Sequence, residues 1–410
     1  MIAIAVLGHG VVGSGIVEVL ERNGESIRRK AGTDIYIKKI LDVRAFPGLP
    51  YSDKFTESFE DILADEEIRV VVEVMGGLSP AYDYVREALA SGKCVVTANK
   101  ELVAAKGAGL VALARKNNRN FLFEASVGGG IPIIRPLHHS LAANEINEIV
   151  GILNGTTNFI LTKMIREGMD FAQALALAQK QGYAEKDPSA DVDGHDTCRK
   201  ICILASLAFG SHVYPESVHT EGIRAVTVHD IRYAESANCV VKLLGQARRQ
   251  GGKCFMLVGP ALVSKESSLA GVDDVFNGIL VRGDVTGDVV FYGKGAGKLP
   301  TASAVISDVI GCIGTGDAIS TLHWTDSDGK NVVDWREEPG ARYIRCKGKG
   351  LSGPVTEIFG AAHMLNRSGM PDNETAFLTP ALSVLQLGEK LKRLRAAGAE
   401  ILGSIRVWEH

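Results

Sequence analysis

The sequence predicts an α/β protein whose N-terminal part is a doubly wound parallel β-sheet. Three observations carry this prediction. Residues 2–124 alternate between short apolar runs rich in β-branched residues and stretches with helical spacing, the pattern of a parallel sheet covered on both faces. A glycine-rich turn joins the first apolar run to the first helical stretch. The 410 residues are enough for two or three domains with their own cores.

The apolar runs at the start of the chain predict the strands of a Rossmann domain over residues 1–130. In chain order they read "IAIAVLG", "IYIKKIL", "RVVVEVMG", "CVVTANK" and "FLFEAS". The stretches "PAYDYVREALASGK" and "KELVAAKGAGLVALARKNN" lie between the last of these runs and have helical spacing. We therefore expect strands and helices to alternate up to the turn "SVGGGIP".

A second, α+β domain is predicted over residues 131–299. "EIVGILNGTTNFIL" indicates a strand, a loop and a helix. "DFAQALALAQKQG" indicates a helix with Asp170 as N-cap, Gln173 completing a capping box and Gly182 beyond the end. A helix around 199–208, strand-like runs near 254–263, 277–282 and 287–293, and a helix from about 302 to 313 follow.

The end of the chain, residues 340–410, predicts a small third α+β domain. "TDSDGKNVVDWREEPGA" before it is typical of a linker or an edge hairpin. "YIRCKGKGLSGPVTEIFGA" indicates strand, turn and helix, and the final stretch indicates strand, helix and strand. The intervening "AHMLNRSGMPDN" shows no convincing strand, so this domain is expected to be degenerate.

Composition excludes several classes of protein. A net charge of −3 gives no basic field for nucleic acid or anionic lipid. No apolar run approaches the ~18 residues that span a bilayer. The first residues enter a strand without a secretion signal. The seven cysteines form no CxxC pair, which favours reduced thiols and a cytoplasmic location.

The glycine turn after the first strand predicts a dinucleotide site. Gly8 would permit the tight turn, and Gly10 would let a pyrophosphate approach the backbone. Gly13 would let the helix pack on the strand, with the phosphates at the helix N-terminus. Val11 and Val12 belong to the same turn, and we expect all five residues to contact the cofactor.

The end of the second strand, "ILDVRAF", bears on the choice of cofactor. Asp42 there would accept hydrogen bonds from a ribose hydroxyl and favour NAD. Arg44, two residues on, would suit a 2′-phosphate and favour NADP. The sequence offers both residues, so either cofactor is compatible with it.

The segment "VVTANKEL" predicts part of a chemical site. It places Thr97, Asn99 and Lys100 just beyond a strand of the nucleotide domain. Ligands bind outside the carboxyl ends of such strands, so Lys100 should face the cleft. A surface lysine is the alternative, but a lysine at a helix N-terminus is poorly placed against the helix dipole.

The segment "YAEKDPSADVDGHDTCRK", residues 183–200, is unusually acidic for this chain. Asp196 and Lys200 are one helical turn apart and would share a helix face. Glu185, Asp191 and Asp193 precede them, and so many like charges are costly unless they meet a cation. A substrate ammonium, a divalent metal and a plain surface ion pair are the alternatives. Lys200 has the chemistry to hold or move a proton at an oxygen.

Six segments of the chain resemble the homoserine dehydrogenase family. They are "GHGVVG", "TANKELVA", "EASVGGGIPII", "GILNGTTNFIL", "GYAEKDPSADVDGHDTCRK" and "YGKGAGKLPTASAV". They occur in the family's order and spacing and cover roughly residues 1–320. The resemblance implies reversible, NAD(P)-dependent interconversion of L-homoserine and L-aspartate 4-semialdehyde, in threonine, methionine and isoleucine biosynthesis.

The resemblance also implies roles for individual residues. Lys200 would be the general acid/base, and Lys100 its partner near the reacting oxygen and the nicotinamide. The residues expected to bind or orient the amino acid are Glu185, Asp191, Asp196, Asn154, Gly155 and Thr156. Beyond the glycine turn, Thr97, Lys100, Gly295 and Ala296 are expected near the cofactor.

"EASVGGGI" resembles the family's structural monovalent-cation loop. Glu124 and the backbone carbonyls of Val127, Gly129 and Ile131 would then bind sodium. Oxygen donors suit such a hard cation.

The resemblance extends to domain organisation. Residues 131–299 would form a substrate-binding and dimerisation domain, the helix at about 300–320 would return to the Rossmann domain, and the protein would be a homodimer. The tail resembles an ACT domain, with threonine as candidate effector. We expect a monofunctional chain, with no aspartokinase domain before residue 1.

Two other functions fit parts of the pattern. A phosphorylating semialdehyde dehydrogenase would need a reactive cysteine at an accessible helix N-terminus beside a histidine. Cys94 instead lies in a predicted strand, and Cys198 and Cys202 in an apolar helix. A non-catalytic sensor of NAD(P) and an amino acid would not need both lysines and the acidic segment intact.

Overall fold

The computed structural model describes residues 1–314, 322 and 324–408 and contains two β-sheets. The strands of the first sheet are β1 (Ile2–Leu7), β2 (Ile35–Leu41), β3 (Phe55–Thr56), β4 (Ile68–Glu73), β5 (Cys94–Thr97) and β6 (Phe121–Leu122). They are all parallel, in the order β3-β2-β1-β4-β5-β6. This is the Rossmann order, in which the connections reverse between β1 and β4 and leave a crevice at their carboxyl ends.

Helices cover this sheet on both faces, which explains why its central strands are apolar runs. The helices of this part are α1 (Val11–Ala31), α2 (Glu60–Leu63), α3 (Ala81–Ala90) and α4 (Lys100–Lys116). Five of the six residues are buried in β1 and also in β4, as expected for strands between two helical layers.

The second sheet contains ten strands and runs through the rest of the molecule. They are β7 (Ile146–Ile152), β8 (His219–Thr220), β9 (Cys239–Gln250), β10 (Lys253–Ser264), β11 (Phe276–Gly283), β12 (Gly287–Lys294), β13 (Arg342–Lys347), β14 (His363–Leu365), β15 (Glu374–Leu378) and β16 (Glu400–Trp408). The order is β12-β11-β7-β9-β10-β16-β13-β15-β14, and β8 pairs with β10 off this path.

The helices that lie between β7 and β9 in chain order carry most of the predicted substrate residues. They are α5 (Gly155–Glu167), α6 (Phe171–Lys180), α7 (Ser189–Val192), α8 (His195–Phe209) and α9 (Val228–Ser236). The predicted capping box of α6 is present, with Asp170 accepting from the Gln173 amide and Gln173 bonding back. No helix in the described ranges is long and apolar enough to cross a membrane.

The helix α10 (Lys298–Gly314) returns the chain to the first sheet and packs on α1. A Cβ on Gly15 of α1 would lie 2.8 Å from the carbonyl oxygen of Lys298, so the two helices touch backbone to backbone. Lys298 also pairs with Glu18 at 2.7 Å. The predicted helix at about 302–313 is therefore present and begins one turn earlier.

The C-terminal part contains a strand that the sequence did not reveal. The helices of this part are α11 (Ser352–Phe359) and α12 (Val384–Ala396). Its elements follow the order β13-α11-β14-β15-α12-β16 along the chain. The unpredicted strand is β14, which has three residues and pairs with β15. The preceding linker forms only isolated bridges in its described residues, for example between Cys254 and Val332.

The sequence prediction also missed β9 and α9. In β9, the run "CVVKLLGQARRQ" has Lys242 as its fourth residue, and lysine is rarely buried. Here the Lys242 ammonium is fully buried and donates to the carbonyl of Val272, while pairing with Asp273 at 3.2 Å. A satisfied buried lysine therefore interrupts a pattern that otherwise predicts a strand.

Candidate active site

The glycine turn after β1 has the shape that a dinucleotide requires. Gly8 has a φ of +99°, which favours glycine. A Cβ on Gly13 would lie 2.1 Å from the carbonyl oxygen of Gly8, so α1 packs directly on the turn. A Cβ on Gly10 would meet nothing within 4 Å, so the turn is open there. Val11 and Val12 follow as the first residues of α1, where backbone N–H groups are free for an anion.

Asp42 and Arg44 form one unit after β2. The Asp42 carboxylate accepts from the His9 amide at 2.7 Å and from the amide, Nε and Nη2 of Arg44, each at 2.9 Å. Hydrogen bonding to the Arg44 guanidinium holds the pKa of Asp42 well below its usual range. The Asp42 side chain is 6% exposed and that of Arg44 is 60% exposed. Arg44 is thus the member of the pair that is free to meet a ligand.

The loop after β5 fixes the start of α4. Asn99 caps the helix by accepting from the Leu102 amide at 3.1 Å, and Lys100 is the first helical residue. Thr97 is fully buried, and its hydroxyl donates to Glu73 and accepts from the Asn99 amide. The Thr97 hydroxyl is therefore occupied within the protein, while the Lys100 side chain is 41% exposed.

Two lysines meet on a single carboxylate, and we call Lys100, Asp196 and Lys200 the lysine–aspartate centre. Helix α8 places Asp196 and Lys200 on one face, with Nζ 2.8 Å from Oδ2. The Lys100 ammonium from α4 pairs with the other oxygen of the same carboxylate. Lys200 also donates to the carbonyl oxygen of Leu153 at 2.8 Å. The centre therefore connects α4 of the Rossmann part with α8 of the part that contains the second sheet.

Asn154 links this centre to the acidic loop. Its side-chain amide donates to Asp191 at 2.7 Å and to Asp196 at 2.9 Å. Its side-chain carbonyl caps α5 by accepting from the Thr157 amide at 2.8 Å. Capping therefore falls to Asn154 rather than to the neighbouring threonines, and the same residue orients two carboxylates.

The next residues of α5 are held from two sides. Thr156 donates its hydroxyl to the carbonyl of Tyr183 at 2.7 Å. A Cβ on Gly155 would lie 2.8 Å from the carbonyl of Val275, so that approach requires glycine. Thr156 thus contacts the acidic segment, whereas Gly155 packs against Val275.

The proton affinities of the two lysines are pushed apart. Burial lowers the pKa of Lys200, Asp196 opposes this, and the Lys100 ammonium adds to the lowering. Burial also acts to lower the pKa of Lys100, but Asp196 outweighs it and the pKa is raised. Burial would raise the pKa of Asp196, but the two ammonium groups and Asn154 hold it far below its usual value. Lys200 is therefore the more readily deprotonated lysine.

The remaining acidic residues divide into two groups. The Asp191 carboxylate accepts from Asn154 and forms no ion pair with another described residue, and burial and the Asp196 charge raise its pKa. Asp193 turns away and pairs with Arg224 at 2.5 Å. Glu185 is exposed, and its side chain makes no hydrogen bond or ion pair within the part of the chain that the structure describes. The structure thus gathers Asp191 and Asp196 but not the Glu185 side chain.

Two glycine loops meet beside α10. A Cβ on Gly129 would lie 2.4 Å from the carbonyl oxygen of Gly295, and the Gly130 amide donates to Lys294 at 3.1 Å. A Cβ on Gly295 would lie 1.9 Å from the side-chain amide nitrogen of Asn277. Gly295 therefore has no room for a side chain, and Ala296 follows it two residues before α10 begins.

Glu124 of the predicted cation loop is already engaged by the backbone. Its carboxylate accepts from the amides of Ile133, Ile134 and Arg135 at 2.6, 2.8 and 2.8 Å. Among the described residues, no turn or side-chain hydrogen bond ends on the carbonyl oxygens of Val127, Gly129 and Ile131. No cluster of three metal-binding side chains occurs there either.

Two contributors escaped the sequence analysis. The Leu153 carbonyl holds Lys200, and a backbone oxygen leaves no mark in sequence. Glu73 is a buried carboxylate at the end of β4. Its only signal was an acidic residue within the apolar run "RVVVEVMG".

A Rossmann crevice beside a lysine–aspartate centre with a buried carboxylate is typical of a nicotinamide-dependent dehydrogenase. Two family models match the chain: "Homoserine dehydrogenase, NAD binding domain" over residues 8–124 and "Homoserine dehydrogenase" over residues 132–310. The chain belongs to the homoserine dehydrogenase family. It is an NAD(P)-dependent oxidoreductase that interconverts L-homoserine and L-aspartate 4-semialdehyde.

Individual relatives agree with this assignment. The homoserine dehydrogenase of Synechocystis is 48% identical over 76% of this chain and 73% of its own length. The homoserine dehydrogenase of Bacillus subtilis is 41% identical over 75% of this chain and 72% of its own length. The crystal structure of a homoserine dehydrogenase from Thiobacillus denitrificans superposes with a TM-score of 0.89, 35% identity and coverage of 100% and 98%. A hyperthermophilic archaeal homoserine dehydrogenase in complex with NADPH superposes with a TM-score of 0.65 and 29% identity. The match covers 76% of this chain and 97% of the archaeal chain.

Proposed function

We propose that Lys200 is the general acid/base of the reaction and that Lys100 is its partner at the reacting oxygen. The observation that carries this proposal is the shared carboxylate: Asp196, only 2% exposed, pairs with both ammonium groups. In the reducing direction the bound cofactor supplies a hydride to the aldehyde carbon. Lys200 gives a proton to the aldehyde oxygen, which becomes the hydroxyl of homoserine, and takes it back in the reverse direction.

The electrostatics of the centre support this division of roles. A general acid/base works best when its pKa lies near the working pH, and the pKa of Lys200 is shifted downwards from that of an ordinary lysine. Lys100 keeps its positive charge because Asp196 raises its pKa. A permanent cation beside the oxygen stabilises negative charge that develops there.

Asp191, Asn154, Gly155 and Thr156 form the proposed binding surface for the amino acid. Asp191 is a partly buried carboxylate without a full cationic partner, which favours a substrate ammonium. Asp196 acts through the two lysines, which it holds and orients. Glu185 stays a prediction of the family resemblance, because its side chain is exposed and separate from these contacts.

For the cofactor we propose that Arg44 receives the 2′-phosphate of NADP. Both carboxylate oxygens of Asp42 already accept two hydrogen bonds, so a ribose hydroxyl would have to share them. The Arg44 guanidinium is mostly exposed and oriented by Asp42. The archaeal relative that binds NADPH is compatible with this choice. The proposed cofactor site also includes the glycine turn, Lys100, Gly295 and Ala296. Thr97 would contribute indirectly, because its hydroxyl is bonded to Glu73 and Asn99.

A sodium ion at the turn 127–131 is a further proposal from the family resemblance. The carbonyl oxygens of Val127, Gly129 and Ile131 are the donors that it would use, and oxygen ligands fit the ion. Glu124 would have to share a carboxylate that already accepts three amides. In this proposal Glu124 holds the turn and also binds the ion.

The regulatory and quaternary expectations rest on the resemblance together with the order of the C-terminal elements. The order β13-α11-β14-β15-α12-β16 matches the βαββαβ plan of an ACT domain, which supports a threonine-binding role. A homodimer formed through the middle domain, cytoplasmic location and a place in threonine and methionine biosynthesis complete the proposal.

The experiment that tests the proposal is reduction of L-aspartate 4-semialdehyde by the purified protein. NADH and NADPH are compared, each with and without threonine and with sodium or potassium as the salt. We expect oxidation of both cofactors, a higher kcat/KM with NADPH, and inhibition by threonine. Equal kcat/KM values would remove the role of Arg44, and neither binding nor inhibition by threonine would remove the effector role.

A further inference from the structure

The buried carboxylate of Glu73 lies where β4 enters the crevice. Its side chain is fully buried. One oxygen accepts from the amides of Met75 and Gly76 at 2.8 and 3.2 Å. The other oxygen accepts from the Thr97 hydroxyl at 2.5 Å. Glu73 therefore holds the turn after β4 and the end of β5 at the same time.

These contacts continue to the first residue of α4. The Thr97 hydroxyl accepts from the Asn99 amide at 2.9 Å, and the Asn99 side chain donates to the carbonyl of Gly77 at 2.6 Å. Asn99 is also the N-cap of α4, which begins at Lys100. The two loops thus form one hydrogen-bonded unit, and Lys100 is attached to it.

The turn after β4 also touches the nucleotide turn. A Cβ on Gly8 would lie 3.1 Å from both the carbonyl of Val74 and the side chain of Met75. Gly76 and Gly77 have φ values of +81° and +69°, a conformation that favours glycine. In the Rossmann order, β4 begins the second half of the dinucleotide site, which holds the reactive end of the cofactor.

A carboxylate at this position is costly, so its presence has to be explained. Burial raises the pKa of Glu73, and the Thr97 hydroxyl and the two amides oppose that effect. The strand itself does not need a charge, because Val70, Val71 and Val72 are buried in the same strand with apolar side chains. What the carboxylate adds is the hydrogen bonding of both loops.

We propose that Glu73 is a positioning residue of the reaction, which holds Lys100 and the cofactor-facing turn 75–77 in one arrangement without touching the substrate. This rests on the role proposed above for Lys100. A misplacement of about 1 Å at a reacting group costs up to about 10²-fold in rate. Loss of the Glu73 contacts should therefore be seen in kcat and in the KM of the cofactor together.

The test is Glu73→Gln in the full-length protein. Glutamine keeps the size but has one acceptor oxygen instead of two, so either the Thr97 hydroxyl or the amides of Met75 and Gly76 lose their acceptor. We expect kcat to fall about 10–100-fold and the KM of NAD(P)H to rise. The matched control is Asp61→Asn, because Asp61 accepts from the Thr56 hydroxyl at 2.8 Å at the surface of the same domain. The control should keep the wild-type kcat.

A pH profile separates positioning from general loss of structure. Lys200 is faced by Asp196, Lys100 and Asp191, and the Lys100 ammonium lowers its pKa. If Lys100 moves away, the pKa of Lys200 rises. The increase in the rate of homoserine oxidation with pH should therefore begin at a higher pH in Glu73→Gln than in the wild type. A normal kcat with an unchanged profile would overturn the proposal.

A second variant covers the case in which Glu73→Gln does not fold. Thr97→Val removes the hydroxyl from the other side of the same contact, and we expect the same loss of kcat and the same direction of the pH change. Wild-type kinetics in Thr97→Val would overturn the proposal. Lys100→Ala, measured alongside, distinguishes the two claims. A normal rate in Lys100→Ala would contradict the role of Lys100. A slow rate in Lys100→Ala together with a normal rate in Glu73→Gln would contradict only the positioning role of Glu73.

Discussion

Asp196 sets the proton affinity of both lysines in the centre. Its charge raises the pKa of Lys200 against burial and raises that of Lys100 outright. The sequence predicted the Asp196–Lys200 pair because helical spacing alone brings the two residues together. It did not predict that Lys100 shares the same carboxylate, because that contact joins residues almost a hundred positions apart.

Replacing Asp196 with asparagine should move the pH dependence of homoserine oxidation to lower pH. Oxidation needs neutral Lys200 as the base, so the rate rises as pH passes through the pKa of Lys200. Asp196 raises that pKa, and its loss therefore lowers it, by about one to three pH units. The measurement is kcat/KM against pH, with Asp193→Asn as control because Asp193 pairs with Arg224 outside the centre. A rise at the same pH as in the wild type would contradict this account.

Replacing Arg44 with alanine should weaken NADPH more than NADH. The exposed guanidinium is the group placed to meet a 2′-phosphate, and a hydrogen bond to a charged group contributes about 1.5–3 kcal/mol. That corresponds to roughly a 10–100-fold rise in the KM of NADPH, with a small change for NADH. Arg28→Ala, which removes another exposed arginine of the same domain, serves as control. Equal effects on both cofactors would show that Arg44 does not read the phosphate.

Among whole elements, the nucleotide turn was the most predictable part of the chain. Its three glycines have distinct geometric reasons, and each follows from the spacing of the motif. The strand β9 was less predictable, because the buried Lys242 and Gln246 interrupt its apolar pattern. The strand β14 was missed because its three residues are too few for an alternating pattern to be recognised.

The turn predicts different outcomes for two similar substitutions. Gly13→Ala places a methyl group 2.1 Å from the Gly8 carbonyl, so we expect a loss of about 1–3 kcal/mol of stability and of cofactor binding. Gly10→Ala meets no protein atom, so the protein should keep its Tm and lose affinity for NAD(P)H only. Thermal unfolding and cofactor titration of both variants check this. A destabilised Gly10→Ala, or a stable Gly13→Ala with normal affinity, would contradict the geometry.

At the scale of the molecule, the C-terminal part is continuous with the middle of the protein. The strand β16 pairs with β10 through Ala261 and Arg406, so one sheet crosses the boundary. Arg345 and Asp230, 6% and 1% exposed in their side chains, form an ion pair of 2.8 Å across the same boundary. The sequence predicted a third domain from its own pattern, but the pairing of β16 with β10 depends on distant residues and could not be read from it.

Breaking that ion pair should destabilise the protein. Arg345→Met leaves the Asp230 carboxylate buried without its cation, which costs about 3–5 kcal/mol. We expect this loss in the free energy of unfolding measured with urea, followed with probes in both parts of the molecule. The control is Arg336→Met, which removes an exposed arginine paired with Asp334 and should leave the unfolding curve unchanged. An unchanged curve for Arg345→Met would mean that the boundary is not coupled.

The measurement that tests the central claim most directly is the rate of L-aspartate 4-semialdehyde reduction by Lys200→Ala. Lys163→Ala is the matched control, because Lys163 also forms an ion pair one helical turn away, with Glu167. With cofactor binding and folding verified, we predict that Lys200→Ala loses kcat by about 10²–10⁴-fold and that Lys163→Ala keeps it. Near-normal kcat in a folded, cofactor-binding Lys200→Ala would contradict the assignment of Lys200 as the general acid/base.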